Sequence, residues 1–306
     1  MIAKTQEDGS TPLVSIIMNC FNSEKYLTEA IKSIISQTYS NWELIFWDNQ
    51  SNDNSAIILN SLMDRRIRYF YAPIHTPLGD ARNIAVSKAQ GKWLAFIDCD
   101  DFWDPRKLET QLNMVSKNPK DIGLVYSLFK LKFEKSPEEI GKSANRYYQS
   151  IRVVPHGPRS IFNELLNGNN IIFSSVLVLR SLFDQVGGID PTLKQLEDYD
   201  LLLKVSYLKS AICINYEAVT YRVHSTNNSH NQEILSYHEF DRIFSRLPQS
   251  KDLKFARKKN FSRHGVSLIY SGRLFQGALL ILKAGSVLWI FWTLFTRMTR
   301  FLKFGS

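Results

Sequence analysis

The chain has 306 residues, 44% hydrophobic and 22% charged, with a formal net charge of +9. A chain of that length and composition buries a large core, which excludes a wholly disordered or low-complexity protein. Residues 251–306 hold eleven Lys/Arg and one acid, a net of +10 that leaves −1 for residues 1–250; basicity confined to a tail argues against a nucleic-acid reader.

Cys20, Cys99 and Cys213 lie far apart without a Cys-x-x-Cys. That spacing argues against a disulfide framework or a zinc site and suits a reducing compartment. No basic stretch leads into an apolar core at the N-terminus, so a secretory leader is not expected.

Residues 1–12 are polar and read as a flexible N-terminus. Leu13 to Cys20 is an apolar run of strand length. Phe21-Asn22-Ser23 turns the chain into a helix over 24–37, with Tyr26, Leu27, Ala30, Ile31, Ile34 and Ile35 on one face. A second strand runs from Glu43 to Trp47. The polar loop Asp48-Asn49-Gln50-Ser51-Asn52-Asp53 then caps a helix over 55–63, and Ile67 to Tyr71 is a third strand. Pro77 to Asn83 opens a helix that ends near Gly91. Four strands alternating with three helices predict a mainly parallel sheet with helices on both faces. Ligands of such sheets sit beyond the carboxyl ends of the strands, where the polar clusters at 20–22, 48–53 and 98–101 fall.

The fourth strand, 92–97, runs straight into Asp98-Cys99-Asp100-Asp101. Acids this close raise one another's pKa unless a cation sits among them. The pattern reads as a site for a hard divalent ion such as Mg2+ or Mn2+. A loop acid capping the helix near Pro105 is the plainer alternative, but capping needs one acid, not three. Cys99 reads as a small packing residue.

A helix over 105–117 and a strand over 122–129 follow. Residues 134–158, polar with Pro and Gly, read as a long connection. A helix at 159–166 and a strand at 171–179 precede Gly187-Gly188, a turn. Leu196-Glu197-Asp198-Tyr199-Asp200 places acids at a helix start. A strand at 211–215 and the segment Tyr221 to His224 close a body spanning 13–230. Residues 231–306 read as a basic, partly apolar helical region. Gly277 to Thr296 is nearly all apolar and is flanked by basic residues. Trp289, Trp292, Arg297, Arg300 and Lys303 suit a helix lying in a membrane interface more than one spanning it. Packing against the body or in a dimer is the alternative.

Taken together these segments resemble a family-2 glycosyltransferase of the GT-A fold, over roughly residues 13–225. The resemblance rests on Val14 to Asn22, on Ile31 to Thr38, and on Asp48 to Asp53, which is similar to an Asp-Asp-Gly-Ser-x-Asp loop. Gly79-Asp80-Ala81-Arg82-Asn83, the Asp98-Cys99-Asp100 element and the Glu197-Asp198 pair complete it. The resemblance implies an inverting transferase for a nucleoside-diphosphate sugar, with a GT-A sheet, flanking helices and a C-terminal helical extension. It places Asn22, Asp48, Asn49, Arg82, Asn83 and Asp98 on the donor, with Asp48 and Asn49 at the nucleobase. Asn49 stands where the family often has Asp, which leaves uracil, thymine and guanine open, since an amide also donates. Asp100 holds Mn2+ or Mg2+, with Asp98 near the ribose or metal; Asp101 competes with Asp100 as ligand, and His224 is a further candidate ligand. Asp198 is the implied general base, Glu197 orients the site, and Asp200 is a rival base or a first-turn acid. Phe102, Trp103 and Tyr199 line an acceptor pocket or belong to the core.

The implied acceptor is a glycan or lipid-linked hydroxyl in cell-envelope polysaccharide or lipopolysaccharide synthesis. The implied location is cytoplasmic, peripheral at the inner face of the plasma membrane through the C-terminal region, with no nucleic-acid partner. A nucleotidyltransferase would want glycines in the loop after the first strand, and residues 20–26 have none. A non-catalytic sugar-binding subunit would not need intact acids at 98, 100 and 198.

Overall fold

A computed structural model of the protein describes residues 12–118, 121–135, 151–224, 233–270 and 272–285. The chain divides into two compact units, residues 1–162 with 170–227, and residues 163–169 with 228–306.

The first unit opens with β1 (Val14–Cys20), α1 (Glu24–Ile35), β2 (Trp42–Asp48), α2 (Ser55–Ser61), β3 (Ile67–Tyr71), α3 (Leu78–Ser87) and β4 (Trp93–Phe96). The alternation expected from the sequence is present, and β3-β2-β1-β4 are neighbours in that order, all parallel. Continuous apolar runs make this half possible, because strands buried on both faces carry no polar alternation. Every residue of β2 is buried. Leu27, Ala30, Ile31 and Ile34 of α1 pack on Ile16, Met18 and Leu44 of β1 and β2.

Beyond β4 the sheet becomes mixed. The strands are β5 (Phe102–Trp103), β6 (Ile122–Phe133), β7 (His156–Arg159), β8 (Leu177–Leu179) and β9 (Ser210–Val223), interspersed with α4 (Lys107–Lys117), α5 (Phe162–Leu165), α6 (Arg180–Gln185) and α7 (Glu197–Leu208). The order continues β4-β8-β6-β9-β5, with β7 on β9, so nine strands of the described residues form one sheet. β8 runs antiparallel to both β4 and β6.

Three expectations are corrected here. The strand expected over 171–179 is a 3-10 turn at Phe173–Ser175 followed by the short β8. The turn forms because Ser175 spends its hydroxyl on Ile172 O, 2.7 Å away, a local bond that competes with a strand ladder. The strand at 211–215 and the segment 221–224 are one strand, β9, paired along β6 through register shifts between Ser127 and Phe129. Part of the polar connection is also ordered as β7, where His156 Nε2 lies 2.8 Å from the Tyr126 hydroxyl. Residues 136–150 of that connection lie outside the described residues.

The second unit contains all of α5 after Phe162, with α8 (Glu233–Arg246), α9 (Lys251–Tyr270) and α10 (Leu274–Lys283), matching the helical reading of the tail as far as it is described. Arg257 Nε of α9 donates to Asp241 Oδ1 of α8 at 2.7 Å. α9 and α10 touch backbone to backbone: a Cβ on Gly277 would lie 2.4 Å from Gly265 O. The apolar run expected over Gly277 to Thr296 is interrupted, because Gly285 takes a left-handed φ of +68° and ends α10, a conformation that glycine adopts without steric cost. Residues 286–296 lie outside the described residues. No helix of the described residues is long and apolar enough to cross a membrane.

Candidate active site

The carboxyl ends of β1, β2 and β3 are level, with Cys20 beside Asp48 and Asp48 beside Tyr71 in register. The loops after β1 and β2 are stitched together. Asn22, at φ +50°, accepts from Asn52 N at 2.9 Å and donates its own N–H to Ser51 Oγ at 3.0 Å. Asp53 Oδ2 accepts from Glu24 N at 2.9 Å, which caps α1 from the neighbouring loop.

Asp48 is buried. Its carboxylate accepts from Ser51 N at 2.7 Å and from the Tyr69 hydroxyl at 3.0 Å. Burial, then Asp48, push the Tyr69 phenol up to about 12. A carboxylate accepts about four hydrogen bonds, so Asp48 keeps capacity for a ligand donor. Asn49 is differently placed. Its amide donates to Thr76 O at 2.7 Å and accepts from Thr76 N at 3.2 Å, so it fastens the segment before α3. Phe21 and His75, which the sequence reading passed over, form a ring pair with centroids 4.4 Å apart beside this loop. Phe21 is half-exposed.

The acid cluster follows β4. Carboxylate oxygens of Asp98, Asp100 and Asp101 lie within 4.8 Å of one another. Three hard oxygen donors at that spacing fit Mg2+ or Mn2+. The three acids are not equivalent. Asp101 is 1% exposed; its Oδ1 accepts from Arg222 N at 3.0 Å, and its Oδ2 accepts from the Ser174 hydroxyl. Burial and the neighbouring acids hold the Asp101 carboxyl well above the usual carboxylate range. The Asp98 side chain is 44% exposed and that of Asp100 28%. Asp100 Oδ2 lies 2.9 Å from His224 Nε2, and the His224 ring packs against Tyr26 with centroids 5.3 Å apart.

Topology explains how distant residues reach this cluster. β8 is antiparallel, so its start meets the carboxyl end of β4 and delivers Ser174. The Ser174 hydroxyl accepts from Asp98 N at 3.1 Å while donating to Asp101; its carbonyl accepts from Trp103 Nε1 at 2.8 Å. β5 pairs antiparallel with β9, Phe102 opposite Thr220. Continuing that register sets Arg222 opposite Asp100. Arg222 is buried, donates from Nε to Asp100 O at 2.8 Å, and pairs with Glu29 and Glu134. Neither Ser174 nor Arg222 was legible as a site residue, because each acts through a register that sequence alone does not give. Ser174→Ala is expected to cost about 1–3 kcal/mol, since it strips the hydroxyl from the buried Asp101 carboxyl and the half-buried Asp98 N–H; urea unfolding measures it.

The second acid pair, Glu197 and Asp198, sits at the start of α7. Glu197 is buried, and its Oε1 accepts from Arg82 Nη1 at 2.9 Å; Arg82 Nη2 donates to Asp98 Oδ1, also at 2.9 Å. The guanidinium thus joins the acid cluster to the start of α7. Burial opposes its charge, and the carboxylates of Asp98, Glu197 and Asp198 outweigh that opposition. The Arg82 plane also lies 4.6 Å from the Phe173 ring centroid. Burial, then the charge of Glu197, push the Asp198 carboxyl up to about 7. Asp200 is paired with Lys204 Nζ at 2.5 Å, which sets it apart from Asp198. Asn83 donates to Ile189 O at 2.8 Å and accepts from Ile189 N at 3.0 Å, bracing the approach to α7. Gly188, at φ +67°, leaves room for that amide: a Cβ there would lie 2.8 Å from Asn83 Oδ1.

Of the aromatic candidates, Tyr199 is fully buried and Trp103 is 2% exposed, so both belong to the core. Phe102 is partly exposed, with Lys132 Nζ 5.3 Å from its ring centroid. Cys99 is buried, donates to Asn19 O at 3.2 Å, and is pushed up by Cys20 and by burial.

A level parallel sheet edge carrying three clustered carboxylates, joined through an arginine to a second acid pair, is a site of the kind that open α/β sheets build beyond the carboxyl ends of their strands. Residues 15–187 match the sequence profile of glycosyl transferase family 2. An uncharacterized glycosyltransferase of Rickettsia typhi is 32% identical over 74% of this chain and 70% of its own length. The chain belongs to glycosyltransferase family 2.

The UDP-Glc:alpha-D-GlcNAc-diphosphoundecaprenol beta-1,3-glucosyltransferase WfgD of Escherichia coli is 38% identical over 39% of this chain. That match, and one to an uncharacterized glycosyltransferase of Haemophilus influenzae (44% identical over 35% of this chain), span only 46% and 44% of those relatives. Among solved structures, residues 1–349 of S. aureus TarS with UDP-GlcNAc superpose with a TM-score of 0.65 at 16% identity, covering 89% of this chain and 79% of that one. Mannosyltransferase PcManGT from Pyrobaculum calidifontis, with GDP-Man and Mn2+, gives 0.59 at 17% identity, covering 93% and 84%. These two likenesses establish the GT-A fold.

Proposed function

We propose that the protein transfers a sugar from a nucleoside-diphosphate sugar to a hydroxyl of a glycan or lipid-linked acceptor, with inversion. The observation that carries this reading is the Arg82 bridge, which holds the donor-side acid Asp98 and the acceptor-side pair Glu197–Asp198 in one site. Asp198 takes the acceptor proton. The freed oxygen attacks the anomeric carbon as the bond to the β-phosphate breaks and the nucleoside diphosphate leaves with the electron pair. One displacement from the opposite face inverts the carbon. A carboxyl near 7 is matched to that proton transfer at neutral pH. Glu197, fixed by Arg82, orients the helix start rather than accepting the proton.

Asp98 and Asp100 would hold a divalent ion, which supplies positive charge against the leaving diphosphate. Asp101 is the supporting acid, because both of its oxygens are engaged inside the protein. His224 positions Asp100. Asp48 and the Phe21 ring meet the nucleobase, and Asn22 and Asn49 shape the loops around it. The E. coli relative, named for action on a diphosphoundecaprenol-linked GlcNAc, supports a lipid-linked acceptor in envelope polysaccharide synthesis.

The test is a thermal-shift panel of UDP-, GDP- and dTDP-sugars with and without Mn2+. One nucleotide is expected to raise the melting temperature only with metal, since a ligand of the folded state stabilises by mass action. No shift with any donor under any metal would overturn the reading.

A further inference from the structure

In the second unit the short helix α10 is apolar on two opposite sides. Gly277, Ile281 and Ala284, spaced four and three residues apart, are buried. That stripe includes the Gly277 contact with α9. The opposite stripe, with the same spacing, is Phe275, Leu279 and Leu282, at 81%, 47% and 51% exposure. A surface helix normally turns charged residues outward, so an outer face of Phe and Leu marks an interaction site.

The setting of the stripe identifies its partner. Arg273 and Lys283 bracket α10, and the Lys258 ammonium of α9 reaches the region of Gly285 at its carboxyl end. A second exposed aromatic, Phe255, stands on α9 with Lys251 and Lys258 at helical-neighbour spacing. Between residues 251 and 285 there are eight Lys/Arg and one acid, Asp252. Apolar side chains set among cations match the two layers of an anionic bilayer surface, acyl chains below and phosphates above. A protein partner rich in acids would satisfy the cations but not the exposed apolar stripe.

We propose that the outer face of α10, with its surrounding cations, is a docking surface for an anionic lipid bilayer. α10 has ten residues and is about 15 Å long, half of a hydrocarbon core of about 30 Å, so it lies in the interface. This deepens the reading above, because a lipid-linked acceptor is met at such a surface.

The experiment is co-sedimentation of the full chain with vesicles of phosphatidylcholine alone or mixed with phosphatidylglycerol, at low and high salt. Binding is expected only to the anionic vesicles, and salt should weaken it. The double variant Phe275→Asp with Leu279→Asp is expected to lose at least about tenfold in partitioning. Both positions are exposed, so its melting temperature should match the wild type, as should donor binding. Three results each overturn the proposal: wild-type binding by the double variant; no binding of the wild-type chain to anionic vesicles; or a wild-type dimer that the variant breaks without any vesicle binding. The third result would make the stripe a contact between copies. Failure of donor binding in the wild-type chain would overturn the transferase reading and leave the vesicle result standing.

Discussion

Replacing Asp198 with Asn is expected to lower sugar transfer by at least about a thousandfold while leaving donor affinity within about twofold. Asn is nearly isosteric with Asp and still accepts the 2.6 Å hydrogen bond from Tyr199 N, so the start of α7 is kept and only the proton acceptor is lost. Single-turnover rates and donor titrations separate the two effects; retained turnover would remove Asp198 from the mechanism. The wild-type rate has its own signature. Transfer needs the carboxylate form, so below about pH 7 the rate should fall about tenfold per pH unit and level off above it.

The same substitution has a stability consequence of opposite sign. The Asp198 carboxyl rises from 3.8 to about 7 on folding, so over that interval the folded chain holds a proton that the unfolded chain has released. Stability therefore falls as pH rises across that window and stays lowered above it. Asp198→Asn should gain about 1–2 kcal/mol near pH 8, below the ~4 kcal/mol ceiling of the full displacement because the side chain keeps some solvent contact. Urea unfolding on both sides of the window measures it, and an unchanged or lower stability near pH 8 would contradict the assignment.

The second large effect falls on the acid cluster. Asp100→Ala is expected to weaken metal-dependent donor binding by about 100-fold or more, since a metal supplies several kcal/mol of charge stabilisation. Asp101→Asn should behave differently. It keeps the response to metal but loses stability by about 1–3 kcal/mol, because one of its two internal bonds must be remade with an amide. Calorimetric donor titrations with and without Mn2+ distinguish the two variants. If Asp101→Asn lost the metal response and Asp100→Ala kept it, the two roles would be exchanged.

The parallel half of the fold was legible because its strands are uninterrupted apolar runs and its helices carry one apolar face. β1, β2 and β3 fall within a residue of the expected bounds. The mixed half was not. β5 is two residues long, β8 is three, and β9 joins two segments across an irregular register; such elements are fixed by partners rather than by local pattern. The site divides the same way. Asp98 and Asp100 stood out as acids at the end of an apolar strand, whereas Arg82, Glu197 and Asp198 were singled out through the family resemblance. Ser174 and Arg222 were hidden because nothing in their neighbourhoods says what they will face. Asn49 shows a third case: its departure from the family pattern was visible, but its bond to Thr76 was not.

That bond is one of several that join two loops at the carboxyl edge of the sheet. The loop at 72–77 is fastened at Asn49 and at Gln50, whose amide donates to Pro73 O at 2.9 Å. It carries His75 against Phe21, with His75 Nδ1 2.9 Å from Asn49 O. Residues 48–50 and 72–77 are thus tied into one local unit. On the proposed reading, which nucleotide is admitted would be set at these nine positions, apart in sequence from Arg82, Glu197 and Asp198.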